Sequence, residues 1–395
     1  MNILITLLAV FRVAFVGDPQ VDNETELVYA RRSIYAELRA RKDLDLVVVL
    51  GDIVNENPSL IVPSEASLDS LRCSWVRLHG NHDGPDPVPD TTFVAGGVRF
   101  ILMNNVRLKR GRDYEGGFLE SQKRWLSGVV GSCSPSERIV LCTHIPLTHS
   151  KGLDSLSAVL HGRNDLLLVC GHTHQVDRRS TPFGEQLTAG AACGSWWRGL
   201  KDGSGIPYAL QNCGSPKGWF IADFAPSRQQ WYSLRYKCVG RPAPEQCSVR
   251  LDSNLMVINI FGGSVDGRVS VRIGGRWHAA ARSSRVAPEV LDVIEFNRSM
   301  TRDYRKAHKA DFIPLRTVKS PHIWALDLAD DPSALAALRA ASGTVSEASG
   351  AAPGATYAAP GGTYAAPAAS GSRGRSIRIR YRDPSMRFST RVPVR

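Results

Sequence analysis

The chain has 395 residues, which exceeds one average domain and predicts two, and 43% of them are apolar, which excludes a wholly disordered chain. The formal net charge is +12, but eight arginines and one acid between residues 373 and 395 carry +7 of it, leaving +12 − 7 = +5 elsewhere. A charge excess held mainly at one end argues against a nucleic-acid partner.

Residues 1–11 form a short apolar stretch without the basic region and small-residue cleavage site of a secretory signal. The stretch is too short to span a bilayer, and we expect no transmembrane segment. We interpret it as leading into the first strand and assign no compartment. As written, the chain is expected to be cytoplasmic, whereas a leader upstream of Met1 would make it periplasmic or secreted.

Apolar strands alternate with helices through the first half of the chain. Strands are predicted at residues 12–17, 44–50, 75–78, 98–103, 139–143 and 166–170, and helices at 24–41, 64–71 and 119–130. Continuous apolar strands alternating with helices predict an α/β sheet covered on both faces. Ligands of such sheets gather on the loops at the carboxyl ends of the strands.

The pattern changes at about residue 239. Glycine-rich turns separate short strand-like runs at residues 254–261, 269–273 and 276–280, which predicts a smaller β-rich domain. We therefore divide the chain into residues 1–238, a β-rich domain at 239–332, an Ala/Gly/Pro-rich insertion at 333–372 and a basic terminal strand at 373–395. The insertion is predicted to be flexible, apart from a helical turn or two at its start.

The terminal strand alternates apolar residues with arginines at residues 377–382, the pattern of a half-exposed strand. We expect it to belong to the β-rich domain. Two interpretations of its arginines stay open, a solvated strand face and a surface that binds an anionic partner.

Five polar clusters lie in the first part of the chain, four of them directly after apolar strands. They read GDPQ at 17–20, GDIVN at 51–55, GNHD at 80–83, a lone histidine at 144 and GHTH at 171–174. We expect their carboxylates, amide groups and imidazoles to meet at one sheet edge. Such a mixture suits divalent first-row metals, and it is large enough for two ions, the usual machinery of phosphoester hydrolysis.

This ordered series resembles the calcineurin-like metallophosphoesterases, whose motifs are DxH, GDxx, GNH(D/E), H and GHxH. The resemblance covers residues 12–174 and implies a two-layered β-sheet core flanked by helices. It also implies two divalent metal ions, held by seven ligands. The first ion would bind Asp18, Gln20 and His174, the second would bind Asn81, His144 and His172, and Asp52 would bridge both. His82 would contact the phosphate and protonate the leaving oxygen, with Asp83 orienting and supporting it.

Gln20 departs from this pattern, because the family usually has histidine there. An amide oxygen is a harder and weaker donor than imidazole, so we expect a looser first metal and a preference for Mn, Fe or Mg over Zn. The identity of the metals among these four stays open. The alternative is that Gln20 is only a turn residue.

Residues 188–221 carry a second resemblance. Their GSWW, GIP and GSPKGW segments are similar to the metallophosphoesterase branch that has a calcineurin-type C-terminal domain. Trp196 and Trp197 lie soon after the GHTH motif. They would either stack on a base or sugar of the substrate or pin a long loop to the protein.

The resemblance implies a dinuclear metal-dependent phosphoesterase that cleaves a small phosphomonoester or phosphodiester by attack of a metal-bridging hydroxide. Two alternatives stay open: a non-catalytic binding or scaffold protein that retains the fold, and a nuclease. The substrate and the oligomeric state are not predicted, because a fold does not fix a function.

Overall fold

The computed structural model describes residues 10–110, 113–199, 201–308, 312, 315–342 and 376–394. The chain divides into two compact units. The first contains the residues up to 173 together with 178–192 and 219–236, and the second contains 174–177, 193–218 and the residues from 237 onward. Residues 193–218, which we predicted within the first domain, thus group with the second unit.

The strands of the first unit, including three that cross its boundaries, follow the order of the chain. They are β1 Phe11–Val16, β2 Leu46–Val49, β3 Ser74–Arg77, β4 Thr91–Ala95, β5 Val98–Met103, β6 Val106–Leu108, β7 Tyr114–Gly116, β8 Arg138–Thr143, β9 Leu166–Cys170, β10 Val176–Thr181, β11 Gly184–Ala189, β12 Gly218–Phe224 and β13 Tyr232–Cys238. The helices are α1 Glu24–Ala30, α2 Ala36–Ala40, α3 Ile61–Asp69, α4 Glu120–Ser132 and α5 Leu156–Val159. A π-helical turn, Arg31–Tyr35, joins α1 to α2, and short 3₁₀ turns lie at Pro58–Leu60, Leu147–His149 and Leu153–Ser155.

Every strand and helix predicted in this unit is present, with ends shifted by a few residues. Two of the helices begin at side-chain caps: the Asn23 side chain accepts a hydrogen bond from Glu26 N before α1, and Gln122 Oε1 accepts one from Leu119 N before α4. Strands β4, β6, β7 and β10–β13 were not predicted.

Most of these strands form two sheets. One has the order β13-β12-β1-β2-β3, with β1, β2 and β3 parallel, and the other has the order β10-β11-β9-β8-β5-β4, with β11, β9, β8 and β5 parallel. Aromatic side chains join the two layers: the Phe100 ring of β5 lies 6.3 Å from Phe11 and 5.8 Å from Phe224, measured between centroids. The opposite face of the second sheet packs against α4 and α5 through Ile101, Leu141 and Leu126. The two-layered core flanked by helices is confirmed.

The second unit contains a seven-stranded sheet in the order β14-β15-β18-β17-β16-β19-β20. Its strands are β14 Cys247–Asp252, β15 Leu255–Ile260, β16 Arg268–Ile273, β17 Arg276–Arg282, β18 Ile323–Asp327, β19 Ser376–Arg382 and β20 Arg387–Pro393. Its helices are α6 Pro288–Ser299, α7 Arg302–His308 and α8 Pro332–Ser342. Neighbouring strands pair antiparallel, and α6 packs on one end of the sheet through Val290 and Val293.

The predicted β-rich C-terminal domain is confirmed, and the terminal strand belongs to its sheet as β19. The start of the Ala/Gly/Pro-rich segment forms α8. The rest of that predicted flexible insertion, residues 343–372, lies outside the described residues, as do residues 1–9. None of the helices in the described part of the chain has the length and hydrophobicity needed to cross a membrane.

Phe100→Ala should test the packing between the two layers of the first unit. The side chain is fully buried and contacts aromatic rings from β1, β4 and β12, so its loss should lower the free energy of unfolding by about 3–5 kcal/mol. Urea unfolding measures the change. Val94→Ala on β4 is the control, because Val94 is 54% exposed and should change stability by less than about 0.5 kcal/mol. Equal effects of the two substitutions would contradict this packing.

Candidate metal centre

Three predicted ligands, one each after β2, β8 and β9, converge in the first unit. Asp52, His144 and His172 each offer an atom within 4.8 Å of the others'. His144 Nε2 lies 3.3 Å from Asp52 Oδ2 and 3.2 Å from His172 Nδ1, and Asn81 Oδ1 lies 3.0 Å from the same nitrogen. His144 Nδ1 is 2.7 Å from the Leu50 carbonyl oxygen, which fixes the ring so that Nε2 faces the cluster. These four side chains form the centre of the site.

Asp18 and Gln20 adjoin this cluster. The Asp18 carboxylate accepts hydrogen bonds from His172 N at 3.0 and 2.9 Å, and Gln20 N donates to Asp52 O at 2.9 Å. The Gln20 side chain is buried, and its Nε2 donates to Asn55 Oδ1 at 3.3 Å, while its Oε1 has no hydrogen-bond partner among the described residues. A buried, unsatisfied amide oxygen costs free energy, so this atom fits a metal ligand better than a turn residue.

The backbone is strained at most of the predicted ligands. Eight non-glycine residues of the described chain have positive φ, and five of them are predicted ligands. Those five are Asp18 at 46°, Gln20 at 45°, Asp52 at 47°, His172 at 74° and His174 at 51°. Such conformations cost about 1–3 kcal/mol each and persist where the surrounding structure imposes them, typically at functional sites.

Glycines precede the ligands because the site leaves no room for a Cβ atom. Gly51 has φ +90°, and a Cβ there would lie 2.6 Å from His144 Nδ1. A Cβ on Gly80 would lie 2.1 Å from Asp52 Oδ1. The glycine of each motif therefore permits the close approach of the loops that brings the ligands together.

The charges of the cluster are not balanced by the protein alone. Burial raises the pKa of Asp18 well above its usual value, and the nearby Asp52 adds to this increase. Burial also opposes ionisation of Asp52, but the neighbouring His144 outweighs it and lowers the pKa of that carboxyl. Burial likewise opposes the charge on His144, yet Asp52 raises the pKa of its imidazole. The buried carboxylates of Asp18 and Asp52 share His144 as a positively charged neighbour, and divalent cations would supply the further positive charge that two ionised carboxylates need.

His82 and Asp83 lie on the GNHD loop, and both contact the GDIVN loop. His82 N donates to Asp52 Oδ1 at 2.8 Å. The Asp83 carboxylate is buried and accepts from Gly80 N at 2.8 Å and from Val54 N at 3.2 Å. Among the described contacts, Asp83 thus ties the GNHD loop to the GDIVN loop rather than supporting the His82 imidazole.

Glu56 lies next to His82 in place of Asp83. Its Oε1 is 3.5 Å from His82 Nδ1, and Glu56 N donates to His82 O at 3.0 Å. Glu56 is not among the predicted site residues, although its position four residues after Asp52 offers a signal. Two further residues of the site were not predicted: Tyr114 of β7, whose ring meets His172 edge-on at 5.5 Å, and Asn55, whose side chain accepts a hydrogen bond from Gln20.

His174 and the tandem tryptophans belong to the second unit. His174 Nδ1 is 2.9 Å from the Ser195 carbonyl oxygen, and the Trp196 ring lies 5.5 Å from the His174 ring. Trp197 is buried, and Lys217 Nζ lies 4.9 Å from its ring centroid. Burial leaves Trp197 no free face for a substrate, which favours the pinning interpretation, whereas Trp196 is only partly buried.

Two family models match the chain. The model described as calcineurin-like phosphoesterase matches residues 11–176, and the model described as the C terminal of calcineurin-like phosphoesterase matches residues 186–337. The first match contains all seven predicted ligands. No curated protein is similar enough in sequence to match the chain.

Several solved structures are similar in part. A dimetal phosphatase from Danio rerio is 16% identical, with 63% of this chain and 95% of that chain covered and a TM-score of 0.39. GAP50 of Plasmodium, described as the anchor in the inner membrane complex, is 12% identical, with 58% and 84% covered and a TM-score of 0.37. Vps29 of Entamoeba histolytica complexed with Zn²⁺ is 11% identical, with 68% and 97% covered and a TM-score of 0.30. At such identities the similarity concerns the fold alone.

The two family matches follow each other along the chain and account for both the ligand loops and the β-rich domain. The chain therefore belongs to the calcineurin-like phosphoesterases, a family of metal-dependent phosphoesterases, and carries that family's C-terminal domain.

Proposed function

We propose that this protein hydrolyses a phosphomonoester or phosphodiester with two divalent metal ions. The observation that carries the proposal is the convergence of Asp52, His144 and His172 within 4.8 Å, with His82 N held on the same Asp52 carboxylate. A merely structural cluster would not require a histidine whose side chain is 25% exposed beside its ligands. When bound, the ions activate water and neutralise the charge of the phosphoryl group.

Each ligand has a role in this proposal. Asn81, His144 and His172 would hold one ion, Asp18, Gln20 and His174 would hold the other, and Asp52 would supply negative charge to both. The roles of Gln20 and His174 rest on different support. The unsatisfied Oε1 supports Gln20, whereas the GHTH motif and the strained backbone support His174.

His82 acts on the substrate side in this proposal. As the bond between phosphorus and the leaving oxygen breaks, the His82 imidazole gives that oxygen a proton, which leaves a neutral alcohol. Glu56 Oε1, 3.5 Å from His82 Nδ1, orients the ring. Asp83 keeps the His82 loop in place through Gly80 and Val54. Trp196 is the proposed contact for the organic part of the substrate.

Asp52→Asn should remove both metal loading and hydrolysis, because the amide cannot supply the negative charge that two cations share. Metal content per chain measures the first effect, and turnover of an aryl phosphate and an aryl phosphodiester with added Mn²⁺ measures the second. We expect a loss of turnover greater than about a hundredfold. Asp154→Asn, at an exposed position, is the control and should keep both. A folded wild-type protein without metal or activity would favour the scaffold alternative instead.

His82→Asn should slow hydrolysis according to the leaving group. Esters of poor leaving groups such as alkyl alcohols should lose roughly a hundredfold or more, since they require protonation. Esters of p-nitrophenol should lose far less. Glu56→Gln should show the same dependence with a smaller loss of about tenfold. Uniform losses across a series of leaving groups would rule out proton donation by His82.

Gln20→His should shift the metal preference of the enzyme towards Zn²⁺, because imidazole is a softer ligand than an amide oxygen. Histidine tolerates the left-handed backbone at this position better than most residues, so the fold should persist. Activity of the metal-free protein after reconstitution with Mn²⁺, Mg²⁺, Fe²⁺ or Zn²⁺ measures the preference. An unchanged order of metals would show that Gln20 does not bind the ion.

A further inference from the structure

One face of the second unit's sheet carries an unusual density of arginine. Antiparallel register places Arg268 opposite Arg382 and Arg272 opposite Arg378 across β16 and β19. Across β19 and β20, Arg382 lies opposite Arg387 and Arg378 opposite Arg391. Directly opposed residues point to the same side of a sheet, so these six arginines and the intervening Arg380 share one face, which we call the arginine face.

The opposite face of the same strands is apolar. Val269, Val271, Ile377, Ile379 and Tyr381 alternate with the arginines and are buried. The arginine face is therefore the outer side of these three strands. Its remaining positions are small or polar, with Ser270 and Ser389 flanking Arg380 by register.

No acid neutralises this face within the described part of the chain. The described ion pairs of the second unit, such as that of Arg250 with Asp292, include none of the seven arginines of this face. Like charges directly opposite each other on neighbouring strands destabilise a sheet. A face that only needed to be solvated would be more stable with charges of mixed sign, so the arrangement points to an anionic ligand.

An aromatic ring lies at the edge of the face. Trp277 of β17 is opposite Arg272 and 36% exposed, and the Arg380 guanidinium lies 4.0 Å from its ring centroid. Together with Arg268, Ser270, Arg387 and Ser389, these residues line a cavity of about 850 Å³. Both the indole and a stacked guanidinium offer flat surfaces on which a nucleobase can pack.

We propose that the arginine face binds single-stranded nucleic acid. The guanidinium group of arginine can donate two hydrogen bonds to the oxygens of one phosphate group. Arginines that repeat along neighbouring strands can therefore bind the successive phosphates of a nucleic-acid backbone. Phosphate contacts beside a stacking aromatic ring are the combination that binds single strands. An anionic membrane is less well matched, because Trp277 is the one large apolar side chain among the register positions of this face described above.

This proposal departs from the expectation drawn from the sequence. There, the excess of positive charge lay mainly in residues 373–395 and argued against a nucleic-acid partner. In the folded sheet, Arg268 and Arg272 of β16 extend that charge over three neighbouring strands. Arginines that are far apart in the sequence thus form one positively charged surface. Such a surface is expected of a nucleic-acid-binding domain.

The test is binding of the full chain to fluorescein-labelled oligonucleotides of about 15 nucleotides, dT and rU, measured by fluorescence anisotropy over a series of salt concentrations. The variant Arg268→Gln, Arg380→Gln, Arg387→Gln should bind at least tenfold more weakly at low salt. Its slope of log affinity against log salt should fall by about 2, since each lost phosphate contact accounts for about 0.7. Trp277→Ala should weaken binding roughly fivefold or more with the slope unchanged.

A charge-matched control removes three exposed arginines from elsewhere, Arg39→Gln, Arg228→Gln and Arg298→Gln. It should bind oligonucleotides like the wild type, and all variants should keep their thermal stability and their hydrolysis of an aryl phosphate. Equal loss in the control, or no binding by the wild type at low salt, would overturn the proposal. Binding to phosphatidylserine vesicles but not to oligonucleotides would overturn it in favour of a membrane surface.

Discussion

Two buried carboxylates set the conditions for the loops at the metal-ligand edge of the first unit. Asp18 and Asp52 follow neighbouring parallel strands, β1 and β2, and both are almost completely buried. Burying a charge is costly unless it is paired. The His144 imidazole lowers the pKa of Asp52, and Asp52 in turn raises the pKa of His144. Bound cations would complete the compensation. The positive φ values of the predicted ligands and the glycines before them agree with the same demand, because they allow the donor atoms to approach one another closely enough to share cations.

The strands and the ligand clusters could be predicted from the sequence for a physical reason. Strands covered on both faces are continuous apolar runs, and polar residues directly after them must lie at the sheet edge. The side-chain contacts between different loops could not be predicted in this way. That Asp83 binds Gly80 and Val54, and that Glu56 rather than Asp83 lies beside His82, depends on how two strained loops meet. Tyr114 was missed because its strand, β7, has three residues, too few for a periodic pattern.

The second unit shows a similar limit to what can be predicted from the sequence. Alternation of apolar residues and arginines predicted β19 and its exposed face. It could not reveal that β16, more than a hundred residues earlier in the chain, pairs with β19 and adds its own arginines to that face. Local pattern determines which side of a strand is exposed, whereas register between distant strands determines which charges become neighbours. The burial of Trp197 and the exposure of Trp277 likewise follow from packing rather than from residue type.

The central claim is that the strained loops hold two cations on either side of Asp52. A crystal of the protein grown with Mn²⁺, with diffraction recorded at the manganese absorption edge, tests it most directly. We expect two anomalous peaks per chain, one in contact with His144, His172 and Asn81, the other with Asp18 and the Oε1 atom of Gln20, and the Asp52 carboxylate in contact with both. A single peak, or none, in crystals of the folded protein would contradict the account.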